Sequence, residues 1–378
     1  MKTVKLREIC SISSAGDKPK TFSEVSTNVC NIPVFGNGRD NEGLVGYTDK
    51  ALINDEAITI SARGSSCGAT FYHATPYTPI VRLLSLIPEK DKVDAKYLYY
   101  QVKNRGFKST GSGQPQITIP QIADCKVEIE ENIPKQEKIA DILFSLDSKI
   151  ANNNKIIEAS EKLMREICDY WFVQFDFPDE NGRPYKASGG EMVYDEKLKR
   201  EIPKGWKAIE LGDIIKEAKK SSVQVNGARE KVGAYPFFTS GDEILDFDEY
   251  YVDGFNIFLN TGGNADIKSY YGKSAYSTDT WCISADKYSY MLFIFLDSIK
   301  EQINNNCFAG SGLKHLQKNA FKKIKIVAPE DNLLRTFNDL AQSSYQAISS
   351  YKTENKKLAS LRDWLLPMLM NGQIKVSD

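Results

Sequence analysis

The sequence repeats itself with a period of about 200 residues. Four short patterns of the first half recur, in the same order, in the second half. LREI at 6–9 matches LGDI at 211–214, PVFGNG at 33–38 matches PFFTSG at 236–241, ITISARG at 58–64 matches IFLNTGG at 257–263, and GSG at 111–113 matches GSG at 310–312. A single match of this kind is weak, but four in one order predict two copies of one domain.

Each copy has short apolar segments separated by Gly, Asn, Asp and Ser, which predicts strands joined by turns. Strands are expected at 57–61, 80–87, 256–260 and 322–328, and a short helix at 95–103. Each copy is therefore expected to be a mixed, β-rich globular domain.

A long segment without Gly or internal Pro follows each copy, at 135–172 and at 330–366. Pro134 and Pro329 precede these segments, and Pro is favourable at a helix start because its missing N–H needs no partner there. Helices of this length would each be about 57 Å long at 1.5 Å per residue. The alternative, one core helix of a larger domain, fits poorly because such helices are usually shorter.

Apolar residues recur at steps of three and four in both segments, which predicts a narrow buried stripe on each helix. The stripe comprises Ile139, Ile142, Leu146, Ile150, Asn153, Ile157, Ser160, Met164, Ile167 and Trp171 in the first helix, and Phe337, Leu340, Ser344, Ile348, Tyr351, Asn355, Leu358, Leu361 and Leu365 in the second. The polar members Asn153, Ser160, Ser344 and Asn355 are expected to fix the register of the packing.

A turn-rich connector at 174–202 separates the first helix from the second copy. Aromatic residues gather at this junction: Tyr170, Trp171, Phe172, Phe175 and Phe177. Base stacking is one interpretation of this group. Anchoring of the helix end and the connector onto a domain is the favoured one.

Composition excludes several classes of protein. The longest apolar run, 290–296, is too short to cross a bilayer. The seven cysteines form no CxxC pair, which is typical of reduced thiols in the cytoplasm. Only His73 and His315 accompany them, so structural zinc is not expected, and His73 is expected to be a structural residue.

No catalytic motif emerges from the sequence. Gly272-Lys273-Ser274 resembles the end of a phosphate-binding loop, but Ile267 stands where that pattern needs Gly. The isolated histidines provide no general-base arrangement. The net charge of −1, from 49 basic and 50 acidic residues, also lacks the basic excess usual in nucleic-acid-binding proteins. DNA binding would therefore require positive charge concentrated on one face.

Four segments nevertheless resemble type I restriction–modification specificity (S) subunits. They are YWFVQFDFPDENGRPYK at 170–186, EIPKGW at 201–206, IPKQEKI at 133–139 and LLPMLMNGQI at 365–374. The resemblance extends over essentially the whole chain and agrees with the order domain, helix, domain, helix. It implies an α+β fold with two β-rich target-recognition domains separated by two long antiparallel spacer helices, related by a pseudo-two-fold internal repeat.

The resemblance also implies a division of the chain. Residues 1–132 are expected to form target-recognition domain 1, 133–173 the central spacer helix and 174–202 the connector. Residues 203–328 are expected to form target-recognition domain 2, and 329–378 the distal spacer helix and C-terminal tail.

By resemblance, the chain is a non-catalytic subunit that reads a split, asymmetric site in double-stranded DNA. Methyltransferase (M) subunits would dock on the helices and restriction (R) subunits would join through them, in the cytoplasm and without a membrane. The chain itself would hold no cofactor or metal, since S-adenosylmethionine belongs to M, and ATP and Mg to R. The alternatives are a self-contained DNA methyltransferase or nuclease, whose cofactor or metal motif is missing from the sequence, and a coiled-coil protein-assembly scaffold.

The expected DNA contacts lie in turns and in basic segments, because Arg pairs with guanine, Asn and Gln pair with adenine, and Lys contacts phosphate. They are Arg39, Asn41, Arg63, Ser65, Ser66, Gln114, Gln116 and Thr118 in the first copy, and Asn260, Thr261, Asn264, Lys314, His315, Lys322 and Lys323 in the second. For each of them, an ordinary solvated surface residue is the alternative. The residues expected to bind partner subunits are Ile150, Ile157, Met164, Ile348, Tyr351 and Leu358.

Overall fold

The computed structural model describes residues 1–107 and 116–376. The chain divides into two compact units. The first comprises Met1–Ala151 and Asn355–Asp378, and the second comprises Asn152–Glu354. Each unit therefore contains one copy of the repeat and a part of both long helices.

The first unit contains nine strands and two short α-helices in its described residues, besides its parts of the two long helices. They are β1 (Lys2–Lys5), β2 (Cys10–Ser14), β3 (Ile32–Phe35), β4 (Leu44–Thr48), β5 (Ala57–Ile60), β6 (Thr70–His73), β7 (Thr78–Pro79), β8 (Leu84–Pro88), α1 (Ala95–Arg105), α2 (Ile119–Ala123) and β9 (Lys126–Ile129). The sheets have the orders β2-β8-β5-β6, β4-β3-β7 and β1-β9, and only β3 and β7 pair in parallel.

The second unit repeats this topology. After the hairpin β10 (Met192–Asp195) and β11 (Arg200–Pro203) come β12 (Lys207–Glu210), α4 (Leu211–Ile214), β13 (Lys216–Glu217), α5 (Val225–Arg229), β14 (Tyr235–Phe238), β15 (Ile244–Phe247), β16 (Phe255–Asn260), β17 (Ile267–Tyr271), β18 (Ala275–Tyr276), β19 (Thr280–Ser284), α6 (Ser289–Ser298), α7 (Lys300–Asn306), β20 (Phe308–Ala309), β21 (His315–Leu316), α8 (Lys318–Lys322) and β22 (Lys325–Ala328). The orders β13-β19-β16-β17, β15-β14-β18 and β12-β22 correspond one to one with those of the first unit, and β14 pairs with β18 in parallel. The predicted repeat is thus confirmed, although its GSG element at 111–113 lies outside the described residues.

The central strands are apolar because neighbours cover both of their edges and both faces. β5 lies between β8 and β6, and all four of its residues are buried. β16 has the same place between β19 and β17, and five of its six residues are buried. The strands predicted at 57–61 and 256–260 and the helix predicted at 95–103 are confirmed within one or two residues at their ends.

Two predicted strands begin later than expected. Val81 and Arg82 adopt left-handed φ values of 54° and 60°, so residues 80–83 form a turn and β8 begins only at Leu84. Lys322 ends the short helix α8, and β22 begins at Lys325. In both places, apolar periodicity continues across a tight turn and conceals it.

The long helices are α3 (Ile133–Cys168), which continues into a wider turn at Asp169–Val173, and α9 (Asp331–Met370). They pack together and run antiparallel. In the first unit Asp147 of α3 pairs with Arg362 of α9 at 2.6 Å, and in the second Glu161 pairs with Lys352 at 3.0 Å.

The distal helix extends beyond the segment predicted at 330–366 and passes through Pro367. It continues to Met370, although Pro367 cannot donate a helical hydrogen bond. Leu366, Leu369 and Met370 are buried in the core of the first unit, and this packing holds the last turn in place.

The buried stripe is confirmed at some predicted positions and wrong at others. Ile139, Asn153 and Phe337 are buried, whereas Ile142 is 38% and Leu340 is 45% exposed. The adjacent Leu143 and Ala341 are fully buried instead. A straight helix with 3.6 residues per turn drifts away from a strict heptad stripe, so the buried face shifts along the helix.

Asn153 is a buried polar residue of the helix pair in the second unit. Its side chain is 0% exposed, and its Nδ2 donates a hydrogen bond to Oε2 of Glu354 at 2.7 Å. A paired polar group at this depth favours one register, because a shifted helix would bury it without its partner.

His73 is a core residue of the first unit, as expected. Its Nε2 lies 2.9 Å from Oγ1 of Thr59, and its ring lies 4.2 Å from that of Phe35. Burial disfavours the charged imidazolium and lowers the pKa of His73 to about 4. The ring is therefore neutral at pH 7 and contributes packing.

Candidate nucleic-acid interface

Three turns of the first unit leave its sheets at neighbouring places. β3 and β7 are parallel partners, with Val34 opposite Thr78 and Phe35 opposite Pro79. Parallel strands place their carboxyl ends at one edge, so the turn with Arg39 and the turn with Arg82 emerge side by side. The third turn, with Arg63, follows β5.

One side chain joins the three turns. Oδ1 of Asn37 accepts a hydrogen bond from the backbone N–H of Ala62 at 2.8 Å, and its Nδ2 donates to the carbonyl oxygen of Val81 at 2.5 Å. Ala62 directly precedes Arg63, and Val81 directly precedes Arg82. Asn37 thus fixes both of these turns relative to its own.

Two of these turns, the one with Arg39 and the one after β5, line an open cleft of about 600 Å³. Arg39 and Asp40 line it from one side, and Ser65 and Ser66 from the other. The structure therefore brings together three predicted DNA-contact residues from two turns. Arg39, Asn41, Arg63 and Ser65 are exposed.

Gln116 lies against the same turn, because it forms a backbone bridge with Arg63, and the N–H of Ile117 donates to the carbonyl of Ala62 at 2.9 Å. Thr118, by contrast, caps helix α2, where its hydroxyl accepts a hydrogen bond from the N–H of Gln121. The prediction that Thr118 contacts DNA overlooked this structural use. Gln114 lies outside the described residues.

The second unit brings the corresponding segments together. Gly262 forms a bridge with His315, and the N–H of Gly263 donates to the carbonyl of Lys314 at 2.9 Å. The predicted residues Asn264, Lys314 and His315 are exposed there. The turn after β16 thus contacts residues 314–315, just as the turn after β5 contacts the equivalent residues 116–117 of the first unit. The side chains at these positions differ between the two units.

Asn260 organises this turn from inside. It is buried, its Nδ2 donates to the carbonyl of Gly262 at 2.9 Å, and its Oδ1 accepts from the N–H of Asp266 at 2.6 Å. Its expected role in reading bases stays a prediction, and the structure shows that backbone groups already occupy its amide. Thr261 likewise donates its hydroxyl to the carbonyl of Asp279 at 2.9 Å.

Lys322 and Lys323 are neighbours in the sequence of the second unit, but their side chains have different surroundings. Lys322 pairs with Glu217 at 2.5 Å, and Glu217 also accepts hydrogen bonds from Lys318 and from the indole N–H of Trp281. These donors, led by Lys322, lower the pKa of Glu217 to about 2. Lys322 is therefore held in an ion pair within the protein, in which Glu217 also serves Lys318, whereas Lys323 is exposed.

Three of the six residues expected to bind partners are buried between the helices and their unit. Ile157, Met164 and Ile348 belong to the core of the second unit and present no surface to another chain. Ile150, Tyr351 and Leu358 are partly buried. The exposed apolar side chains of α3 and α9 are Ile142, Ile156, Leu163, Leu340, Leu361 and Trp364.

In residues 1–107 and 116–376, no helix is both long and apolar enough to cross a membrane. The same residues include no group of three or more His, Cys, Asp or Glu side chains that could hold a metal ion. All seven cysteines are free thiols.

Comparison with known proteins identifies the family of this chain. The family described as "Type I restriction modification DNA specificity domain" matches residues 1–162 and 203–332, which include both copies of the repeat. The chain belongs to the type I restriction–modification specificity subunits. It is therefore the DNA specificity component of a type I restriction–modification enzyme and not the catalytic subunit.

Curated relatives agree with this family. The chain is 27% identical over 389 residues to the specificity subunit of the type I restriction enzyme MjaIX from Methanocaldococcus jannaschii, covering 95% of this chain and 83% of the relative. It is 32% identical over 171 residues to a putative type I specificity subunit from Mycoplasma pneumoniae, covering 45% of this chain and only 50% of that relative.

The fold has a counterpart among solved structures. The crystal structure of the type I restriction–modification S subunit from M. genitalium matches with a TM-score of 0.67 at 19% identity, covering 97% of this chain and 95% of that one. This likeness supports the α+β fold with two β-rich regions and two packed long helices.

Proposed function

We propose that this specificity subunit reads an asymmetric site in double-stranded DNA in two parts. Residues 1–132 would be the target-recognition domain for one half-site and residues 203–328 that for the other, with spacer helices at 133–173 and 329–378 and a connector at 174–202. One observation carries the proposal: the two units place equivalent turns against equivalent segments, but fill them with different side chains.

Partner subunits would bind along the two helices. The exposed apolar residues of α3 and α9, such as Leu163 and Trp364, favour contact with another protein, because such side chains gain free energy when water is excluded. We propose that methyltransferase (M) subunits bind there and that restriction (R) subunits join through them in the cytoplasm. S-adenosylmethionine would then belong to M, and ATP and Mg to R.

The assignment of half-sites is tested by Arg63→Ala. A bidentate contact between Arg and guanine discriminates against other bases by about 1–3 kcal/mol. The variant should lose this discrimination at one half-site and keep all base preferences at the other, since a different domain reads it. Binding of the assembled methyltransferase to oligonucleotides mutated in either half measures this directly. Equal change in both halves, or in neither, would remove Arg63 from the reading surface.

Lys322 and Lys323 form a matched pair for testing phosphate contact. Lys323→Ala should weaken binding to every DNA sequence and reduce the slope of log K against log salt by about 0.9, the value for one lost phosphate contact. Lys322→Ala should change this slope less, because the ammonium of Lys322 is held in an ion pair with Glu217. Titrations at several salt concentrations compare the two variants, and an equal effect of both would contradict the assignment.

A further inference from the structure

The turn at Val81 and Arg82 has an unusual backbone. The N–H of Leu83 donates to the carbonyl of Ile80 at 3.1 Å, which closes a four-residue turn with both central φ values positive. Such turns favour Asn and Gly, and a β-branched residue like Val81 is strained in them. Strain of this kind persists only where the surroundings enforce it, and it concentrates at functional sites.

Two hydrogen bonds hold the backbone of Val81 in this strained conformation. The N–H of Val81 donates to the carbonyl of Gly16 at 2.9 Å, and the carbonyl of Val81 accepts the hydrogen bond from Asn37. Arg82 is therefore presented on a fixed turn and is exposed.

Arg82 resembles Arg39 and Arg63, because all three arginines are exposed residues of turns. In the part of the chain that the structure describes, no acceptor holds the guanidinium of any of these three residues. Arg7 and Arg105 of the same unit differ, because Arg7 pairs with Asp124 and Arg105 donates to the carbonyl of Lys126. Three arginines thus stand ready for an external acceptor at turns that one asparagine side chain connects.

The equivalent edge of the second unit has the opposite character. The turns after its parallel strands β14 and β18 carry the exposed acids Asp242 and Asp279 and no arginine. Ser240 stands in the place of Asn37, and its hydroxyl donates to the carbonyl of Asp279 at 2.7 Å. The connection between turns is therefore kept, but the cations at this edge already have partners within the protein: Lys268 donates to the carbonyl of Thr239 at 3.3 Å, and Arg229 pairs with Glu243 at 2.6 Å.

We infer that the first unit reads guanines, with Arg39, Arg63 and Arg82 as the base-contacting residues and Asn37 as the residue that positions them. Arginine recognises guanine through two parallel hydrogen bonds to O6 and N7 in the major groove. The second unit reads its half-site without arginine. This inference rests on the proposed function, and it adds the class of base, Arg82 and Asn37.

The test is a selection of binding sites from a random duplex library with the full-length chain and the subunits that copurify with it. The wild-type chain should select a split site with guanines in the half that Arg63→Ala affects. Arg82→Ala should lower the preference for one of these guanines by roughly 5- to 150-fold and leave the other half unchanged. Arg82→Lys should not restore it, because an ammonium lacks the two-pronged geometry. Arg7→Ala, which removes the same charge elsewhere in the unit, is the matched control and should select the wild-type site.

Asn37 variants separate positioning from contact. Asn37→Asp keeps the acceptor for the N–H of Ala62 but loses the donor to Val81, so the guanine read by Arg82 should lose its preference while that read by Arg63 keeps it. Asn37→Ala should weaken both, with the thermal unfolding of the variant showing whether the fold persists.

The outcomes are distinct. A split site whose Arg63-dependent half contains no guanine, or unchanged selection by Arg82→Ala, overturns this inference and leaves the proposed function intact. Failure of the wild-type chain to select any split site overturns the proposed function itself.

Discussion

A chain in which a second copy of residues 1–132 replaces residues 203–328 should bind a site whose two halves carry the same bases. The physical reason is that both regions end in the same way. β9 pairs with β1 and leads into α3, and β22 pairs with β12 and leads into α9. Residues 1–132 carry their own terminal strand pair, so they can replace residues 203–328 and still lead into the long helix through an equivalent strand pair.

The expected effect is large, because each mismatched base pair costs about 1–3 kcal/mol and separated mismatches add. Exchange of a half-site with three differing base pairs would then shift the preference by about 3–9 kcal/mol. Competition binding between the wild-type site and the symmetric site measures the shift. The reciprocal chain, with residues 203–328 in both places, is the control and should prefer the other symmetric site. A duplicated chain that keeps the wild-type preference would rule out two separable reading domains.

The architecture could be predicted from the sequence because its signals extend over long stretches. The four ordered matches and the two segments without Gly remain recognisable even if single positions are misinterpreted. Each match supports a repeated domain, and each segment indicates a whole helix. The anchoring role predicted for the aromatic group at the connector is confirmed for four of its five residues. Trp171, Phe172, Phe175 and Phe177 contact the rings of Phe337 or Trp206, whereas Tyr170 is 39% exposed.

The ends of elements could not be predicted in the same way, because tertiary packing decides them. Pro367 is the strongest local stop signal of the distal helix, yet burial of the following Leu369 and Met370 outweighs one missing hydrogen bond. The exposed Leu340 and the buried Ala341 show the same effect, since burial depends on the neighbouring core more than on the hydropathy of a single residue.

The candidate site was predictable as a set of turns, but the use of each side chain was not. Asn260 and Thr118 are residue types that bind bases and also satisfy backbone groups, and in this protein the backbone occupies both. Arg82 was missed for a related reason, because Val-Arg is a poor sequence for a turn with two positive φ values. A strained functional turn violates the very preferences by which turns are found in a sequence.

Trp206→Ala should destabilise the second unit by about 3–5 kcal/mol, the usual cost of removing a buried large aromatic side chain. Its side chain is only 6% exposed, stacks on Phe177 at 5.0 Å and meets the edge of Phe175 at 5.6 Å. These contacts join the end of α3 and the connector to the second copy of the repeat, so a cavity here loosens all three. Trp364→Ala is the matched control, because that side chain is 55% exposed and its loss should change the free energy of unfolding by no more than about 0.5 kcal/mol. Chemical unfolding followed by far-ultraviolet circular dichroism measures both variants without relying on tryptophan fluorescence. Equal stability of the two variants would show that the aromatic cluster does not hold the connector, and that the domain and the helix end are joined by the remaining contacts of the unit.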